Sequence, residues 1–170
     1  MMDGGRRVRP QKEDPMSTIE SLMVTEMISA TPDESVQAVA ERMARNRIGA
    51  VLVLDGDRLA GIFSERDLLT RVIGAHRDLA ATRVGDVATG DVVTIDAAQP
   101  VRSVVETFRA RRVRHLPVVR GGRPVGILST RDFLAFVVEG LEGFVEKARY
   151  DQELATGTDP YDHIGGSYGR

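Results

Sequence analysis

The sequence predicts an α/β (α+β) fold built from two β-α-β-β-α units packed as a pseudo-two-fold pair. Three observations carry this. The stretch 126–134, Gly-Ile-Leu-Ser-Thr-Arg-Asp-Phe-Leu, occurs once more, 65 residues earlier, as Gly-Ile-Phe-Ser-Glu-Arg-Asp-Leu-Leu over 61–69. Sliding 22–69 onto 87–134 without a gap also superposes Val36 on Val101, Glu41 on Glu106, Arg47 on Arg112, Val53 on Val118, Gly56 on Gly121 and Arg58 on Arg123. Ordinary composition would give only roughly three coincidences. Each copy also switches from helical to strand-like apolar spacing at matched positions. Two copies fall short of the three or more that an open solenoid needs, so the pair is expected to close on itself.

Taken in order, each unit opens on a short strand, over 27–30 and 92–95. A helix follows, with Val36, Val39, Ala40, Met43 and Ala44 at helical spacing, then Val101, Val104, Val105 and Phe108 in the second copy. Thr31-Pro32-Asp33-Glu34 predicts its start, as a Thr…Glu capping box with proline at the first helical position; Asp96…Gln99 is the counterpart, with Pro100 able to shift the start. The apolar runs 50–54 and 116–119 suit buried strands. Asp55-Gly56-Asp57-Arg58 and Arg120-Gly121-Gly122-Arg123 read as hairpin turns, since glycine adopts φ > 0 at little cost. The returning strands, 59–63 and 124–128, run into the second helices. Residues 74–82 form a polar connection. After the second copy, helical character is expected to continue through Leu141, Phe144, Val145 and Tyr150, against the opposing preference of Gly140 and Gly143. The expected organisation is a flexible arm over 1–16, with Met16 a possible start, a first unit over 17–74, a linker over 75–83, a second unit over 84–140, and a helical extension with an irregular tail over 141–170.

With 170 residues, 42% hydrophobic, the chain can bury a sizeable core. A net charge of −2 marks neither a nucleic-acid nor a membrane-surface protein. The absence of cysteine removes disulfides, thiol nucleophiles and thiolate metal sites. Apolar runs are far shorter than the roughly 20 residues of a membrane span, and 1–16 lacks the apolar core of a secretory signal. A cytoplasmic location is expected.

The β-α-β-β-α order, the run Arg114-His115-Leu116-Pro117-Val118-Val119 and the two Gly-Ile-Φ-Ser-x-x-Asp stretches (Φ apolar) resemble a tandem pair of cystathionine-β-synthase (CBS) domains, a Bateman module, of the stand-alone bacterial type. The resemblance covers roughly 18–138. It implies a regulatory module that binds an adenosine-containing ligand in the clefts between the two units: AMP, ADP, ATP, S-adenosylmethionine or NAD(H). It also implies a homodimer, an unidentified regulated protein target, no required cofactor and no enzymatic step.

On that resemblance Asp132 and Asp67 match the ribose-binding aspartate, a carboxylate able to accept from both ribose hydroxyls. Ser129 and Ser64 stand at helix starts, where a hydroxyl and free N–H groups can face phosphate. Ser-x-x-Asp is equally an ordinary capping box that stabilises a helix start by roughly 1 kcal/mol. Arg114 and His115 precede the buried strand of the second copy, whereas Gly49 and Ala50 stand there in the first. Over the aligned segments the first copy holds five Arg and eight acidic residues, and the second eight Arg and four acidic residues. Phosphate favours the basic copy, where Arg offers a bidentate fork. Ile28, Ser29 and Ala30, with Val93, Thr94 and Ile95, are the first-strand residues that would line the adenine and ribose, and they are ordinary strand residues as well. Arg66 and Arg131 either reach phosphate or lie solvated on the first helical turn. The Asp132 site is thus expected to dominate, with Asp67 its weaker twin.

No Gly-x-Gly-x-x-Gly or Gly-x-x-x-x-Gly-Lys-[Ser/Thr] loop is present. His76, His115 and His163 lack ligand spacing, which speaks against a metal site. Two other functions compete with the nucleotide reading: a ligand-free dimeric scaffold, and nucleic-acid binding through the Arg-rich second unit. The latter is poorly supplied with stacking residues, aromatics being 5% of the chain.

Overall fold

The computed structural model describes residues 18–155. The arm over 1–16 and the tail with Tyr161, His163 and Tyr168 lie outside the described residues. The chain is mixed α+β, with two three-stranded sheets ordered β1-β2-β3 and β4-β5-β6. The first comprises β1 (Ser29–Ala30), β2 (Ala50–Asp55) and β3 (Arg58–Ser64). The second comprises β4 (Ile95–Asp96), β5 (His115–Arg120) and β6 (Arg123–Ser129). Helix α1 (Val36–Asn46) joins β1 to β2, and α4 (Arg102–Arg111) joins β4 to β5. After β3 come a single helical turn, α2 (Glu65–Asp67), and a π-helical turn over Leu68–Ile73, then a short α3 (Val84–Val87). After β6 comes α5, Thr130–Ala155.

The two antiparallel ladders repeat one another residue for residue, and the parallel first strands share one pair. Ala30 pairs with Val53 in parallel register, as Ile95 does with Val118. Both hairpins are two-residue turns closed by Asp55↔Arg58 and Arg120↔Arg123. Gly56 alone has φ > 0 in the first, and Gly121 and Gly122 both do in the second. These signs match the II′ and I′ turns that suit strand twist. Both antiparallel ladders also shift register at the same place, between Val53 and Leu54 and between Val118 and Val119.

Helix α1 starts later than the Thr31…Glu34 pattern predicts. Thr31 N–H does donate to Glu34 Oε1 at 2.8 Å, and Glu34 N–H to the Thr31 carbonyl at 3.2 Å. That closes a separate turn. The N-cap is Ser35, whose Oγ accepts from Ala38 N–H at 3.3 Å. The first helical N–H groups need acceptors from elsewhere. They find them in the following connection: Val36 donates to Thr82 O at 2.9 Å and Gln37 to Leu79 O at 3.0 Å. In the second copy α4 begins at Arg102, beyond Pro100. Both helices end on an arginine in the left-handed region, Arg47 (φ 53) and Arg112 (φ 52).

The two copies exchange their leading segments. Ile62 and Thr89 exchange backbone hydrogen bonds of 3.0 and 2.9 Å, so the segment entering the second copy borders β3 of the first. Ile127 and Val24 do the same at 3.0 and 2.9 Å, so the segment entering the first copy borders β6 of the second. Further out, Ile19 N–H donates to Gln99 O and Val84 N–H to Glu34 O, again 65 positions apart. Ile19 and Val84 are both wholly buried. The core of the first copy (Val36, Val39, Met43, Val51, Val53, Phe63 and Val72) therefore includes Val84 and Val87 from the approach to the second. The close crossing explains the repeated glycine. A Cβ on Gly61 would stand 3.0 Å from Thr89 O, and one on Gly126 3.0 Å from Val24 O.

Of the described residues, 18–129 form one compact unit and 130–155 another. The second, α5, is a continuous helix across Gly140 and Gly143, as expected for the stretch through Tyr150. Among the described residues, no helix is long and apolar enough to cross a membrane.

Candidate functional site

The Ser64–Asp67 motif stands where β3 turns into α2. Ser64 N–H and Oγ–H both donate to Asp67 Oδ2, at 2.9 and 2.6 Å, and Asp67 N–H donates to Ser64 Oγ at 3.4 Å. This is a complete capping box. The other oxygen, Oδ1, accepts from Thr89 Oγ1 at 3.4 Å and faces Arg71 Nε at 3.5 Å. Arg71 in turn donates to the Val87 carbonyl at 2.9 Å. Asp67, only 8% exposed, thus fastens the helix start to the segment that crosses from the second copy. A buried carboxylate needs such partners, and both its oxygens have them. The equivalent positions around Asp132 carry different residue types: Phe136 for Arg71 and Val24 for Thr89.

The first strand of the first copy is tied down in a similar way. Arg42 Nη1 donates to the Ser29 carbonyl at 2.6 Å and to Glu34 Oε1 at 3.3 Å, while Nη2 pairs with Glu34 Oε2. The Arg42 guanidinium holds the Glu34 carboxyl below the usual carboxylate range, against the opposing effect of burial. The second copy has Gln99 and Thr107 at these positions, and Thr107 Oγ1 donates instead to Ser103 O within its own helix, at 2.7 Å.

His115 opens β5 paired with Ser129, as Ala50 opens β2 paired with Ser64. Its ring lies against the first copy. The point where a Cβ would sit on Gly49 is 3.5 Å from His115 Nε2 and Cε1 and 3.4 Å from Glu65 Oε2. Glu65 N–H donates to Gly49 O at 3.0 Å, so the histidine stands at the start of α2, one residue past Ser64. By sequence His115 belongs to the second copy, yet its ring borders Gly49 of the first.

The remaining expected residues differ in access. Ala30 and Ile95 are buried, Ile28, Ser29 and Val93 are half-buried, and Thr94 is exposed. Arg66, Arg114 and Arg131 are exposed, and Ser129, His115 and Asp132 are half-buried. Thr89, Arg71 and Arg42 were not expected. Thr89 lies on the approach to the second copy, where no motif marks it, and Arg71 and Arg42 belong to no sequence motif. Among the described residues, no group of three or more His, Cys, Asp or Glu could hold a metal ion.

Comparison with known proteins agrees with this architecture. The mitochondrial CBS domain-containing protein CBSX3 of Arabidopsis thaliana is 30% identical over 113 residues, which span 64% of this chain and 55% of that protein. A putative signal-transduction protein with CBS domains from Burkholderia ambifaria superposes with a TM-score of 0.69 at 31% identity, covering 72% of this chain and 95% of that one. A CBS domain protein from Pyrobaculum aerophilum, complexed with AMP, superposes with a TM-score of 0.63 at 26% identity, covering 72% and 98%. The CBS domain model matches residues 19–74 and again 84–139. With the duplicated sheets and the duplicated Ser-x-x-Asp turns, this establishes that the chain belongs to the CBS domain family and carries two such domains in tandem.

Proposed function

We propose that the chain is a regulatory module that binds an adenosine-containing ligand mainly through its second copy and changes conformation or association in response. In this reading Asp132 takes the ribose hydroxyls, Arg114, His115 and Arg131 take phosphate, and Ser129 stands at the helix start. Val93, Thr94 and Ile95 line the base and ribose. The weaker twin, with Asp67, Ser64, Arg66, Ile28, Ser29 and Ala30, stays largely structural. The module acts as a homodimer on another protein and carries out no reaction of its own.

One observation supports the reading of Asp67 as the weaker twin. Both Asp67 oxygens are already engaged by Ser64, Thr89 and Arg71, so a ribose would have to displace internal partners, and leaving a buried donor unpaired costs about 1–3 kcal/mol. The AMP complex of the Pyrobaculum relative supports the ligand class. A second reading, a ligand-free dimeric scaffold, is favoured by the same internal capping box, which needs no ligand to account for its serine and aspartate.

Calorimetric titration with AMP, ATP, S-adenosylmethionine and NADH separates the two. Saturable heat with at least one of them is expected. No heat with any, together with no melting shift at millimolar ligand, leaves the scaffold.

A further inference from the structure

We propose that the outer part of α5 pairs antiparallel with the same segment of a second copy of this chain, centred between Val145 and Ala148. Every residue from 138 to 152 is exposed. Val138, Leu141 and Val145 are 45%, 59% and 64% exposed, an unusual cost for a helix that also contains Gly140 and Gly143. A lone helical segment of this length is marginal in water, and each interior glycine weakens it by about 1 kcal/mol relative to alanine. The helix therefore calls for a covering surface.

The spacing indicates what covers it. Val138, Leu141, Val145, Ala148, Gln152 and Ala155 recur at alternating intervals of three and four, a seam for a second helix. The large residues lie in its first half and the small or polar ones in its second. An antiparallel partner sets Val138 against Ala155, Leu141 against Gln152 and Val145 against Ala148, so two layers set a large residue against alanine and the third sets Leu141 against the flexible Gln152 stem. The same register brings Glu142 opposite Arg149 of the other copy, twice by symmetry. Sliding by one heptad either way opposes Glu142 to Glu142 or Arg149 to Arg149, which like-charge repulsion disfavours. A parallel pair would gather all the small residues at one end and form neither ion pair. Arg149 can turn to that partner at little cost, since its contact with Glu153 of its own helix is a loose 3.7 Å.

The chain has no cysteine, so introduced thiols report without background. Full-length Leu141→Cys carrying a tag is mixed with untagged Gln152→Cys under mild oxidation. The proposal expects a mixed disulfide, because facing seam positions come within reach of the Cα separation of about 4.4–6.8 Å that a disulfide tolerates. It expects none from Leu141→Cys alone. Val138→Cys mixed with Ala155→Cys is a second, independent pair. Glu142→Arg in both partners should suppress the mixed disulfide, and Glu142→Arg combined with Arg149→Glu should restore it. Self-linking of Leu141→Cys would overturn the orientation. Failure of both mixtures, with circular dichroism showing the fold intact, would overturn the pairing. Nucleotide binding plays no part in either outcome.

Discussion

Thr89 exchanges two backbone hydrogen bonds with Ile62 across the boundary between the repeats, and its hydroxyl reaches Asp67 Oδ1 at 3.4 Å. One residue thus links the edge of the first sheet to the motif that could otherwise hold a ligand. The two β-hairpins share one register, but Thr89 and Arg71, which engage Asp67, have Val24 and Phe136 as their counterparts in the repeat.

Because each copy completes the other, they should unfold together. Ile19 belongs by sequence to the first copy but donates to Gln99 O of the second, and it is wholly buried. Ile19→Ala is expected to cost about 2–5 kcal/mol and to lower a single cooperative melting transition without splitting it. Two resolved transitions in calorimetry would contradict the exchange.

Two glycine substitutions should have opposite signs. Gly61→Ala pushes a methyl to within 3.0 Å of Thr89 O and 3.3 Å of Ala88 Cβ, where backbone cannot yield cheaply. A loss of about 1–3 kcal/mol is expected. Around Gly140 nothing lies within 4 Å of the new Cβ, so Gly140→Ala should gain up to about 1 kcal/mol from helix propensity. Urea unfolding of the two variants checks both signs.

The Glu34–Arg42 pair predicts a pH dependence. Its carboxyl pKa is depressed in the folded chain, so its stabilising contribution is fully present above the unfolded value of about 4.3 and is lost as pH falls through the folded one. Glu34→Gln should therefore cost about 1 kcal/mol at pH 7, with the gap to the unsubstituted chain closing below about pH 4. A gap that persists at low pH would mean the effect is one of packing.

What could be read from the sequence was set by local chemistry. The hairpins at Gly56 and Gly121 announce themselves because few residues accept their φ, and the apolar strands β2 and β5 fall where the spacing puts them. The first strands were expected over 27–30 and 92–95, but regular pairing begins only at Ser29 and Ile95. Just before, Met27 donates to Thr25 O and Val92 to Gly90 O, local turns that no periodicity reveals. The start of α1 was misplaced for a related reason. Carbonyls of Leu79 and Thr82, over 40 residues away, supply the acceptors that let the helix begin at Val36. Of the site, Ser64 and Asp67 were legible as types, but the same two residues encode a cap and a ligand site. What separates the roles is Thr89 and Arg71, distant in sequence and ordinary in type.

The inequality of the two aspartates is tested most directly by AMP titration calorimetry of three chains: unsubstituted, Asp132→Ala and Asp67→Ala. The expected result is one strong site per chain in the unsubstituted protein, abolished by Asp132→Ala. Asp67→Ala should keep most of the binding while losing about 1–3 kcal/mol of fold stability. Two equal sites per chain, or equal losses of binding from the two substitutions, would contradict it.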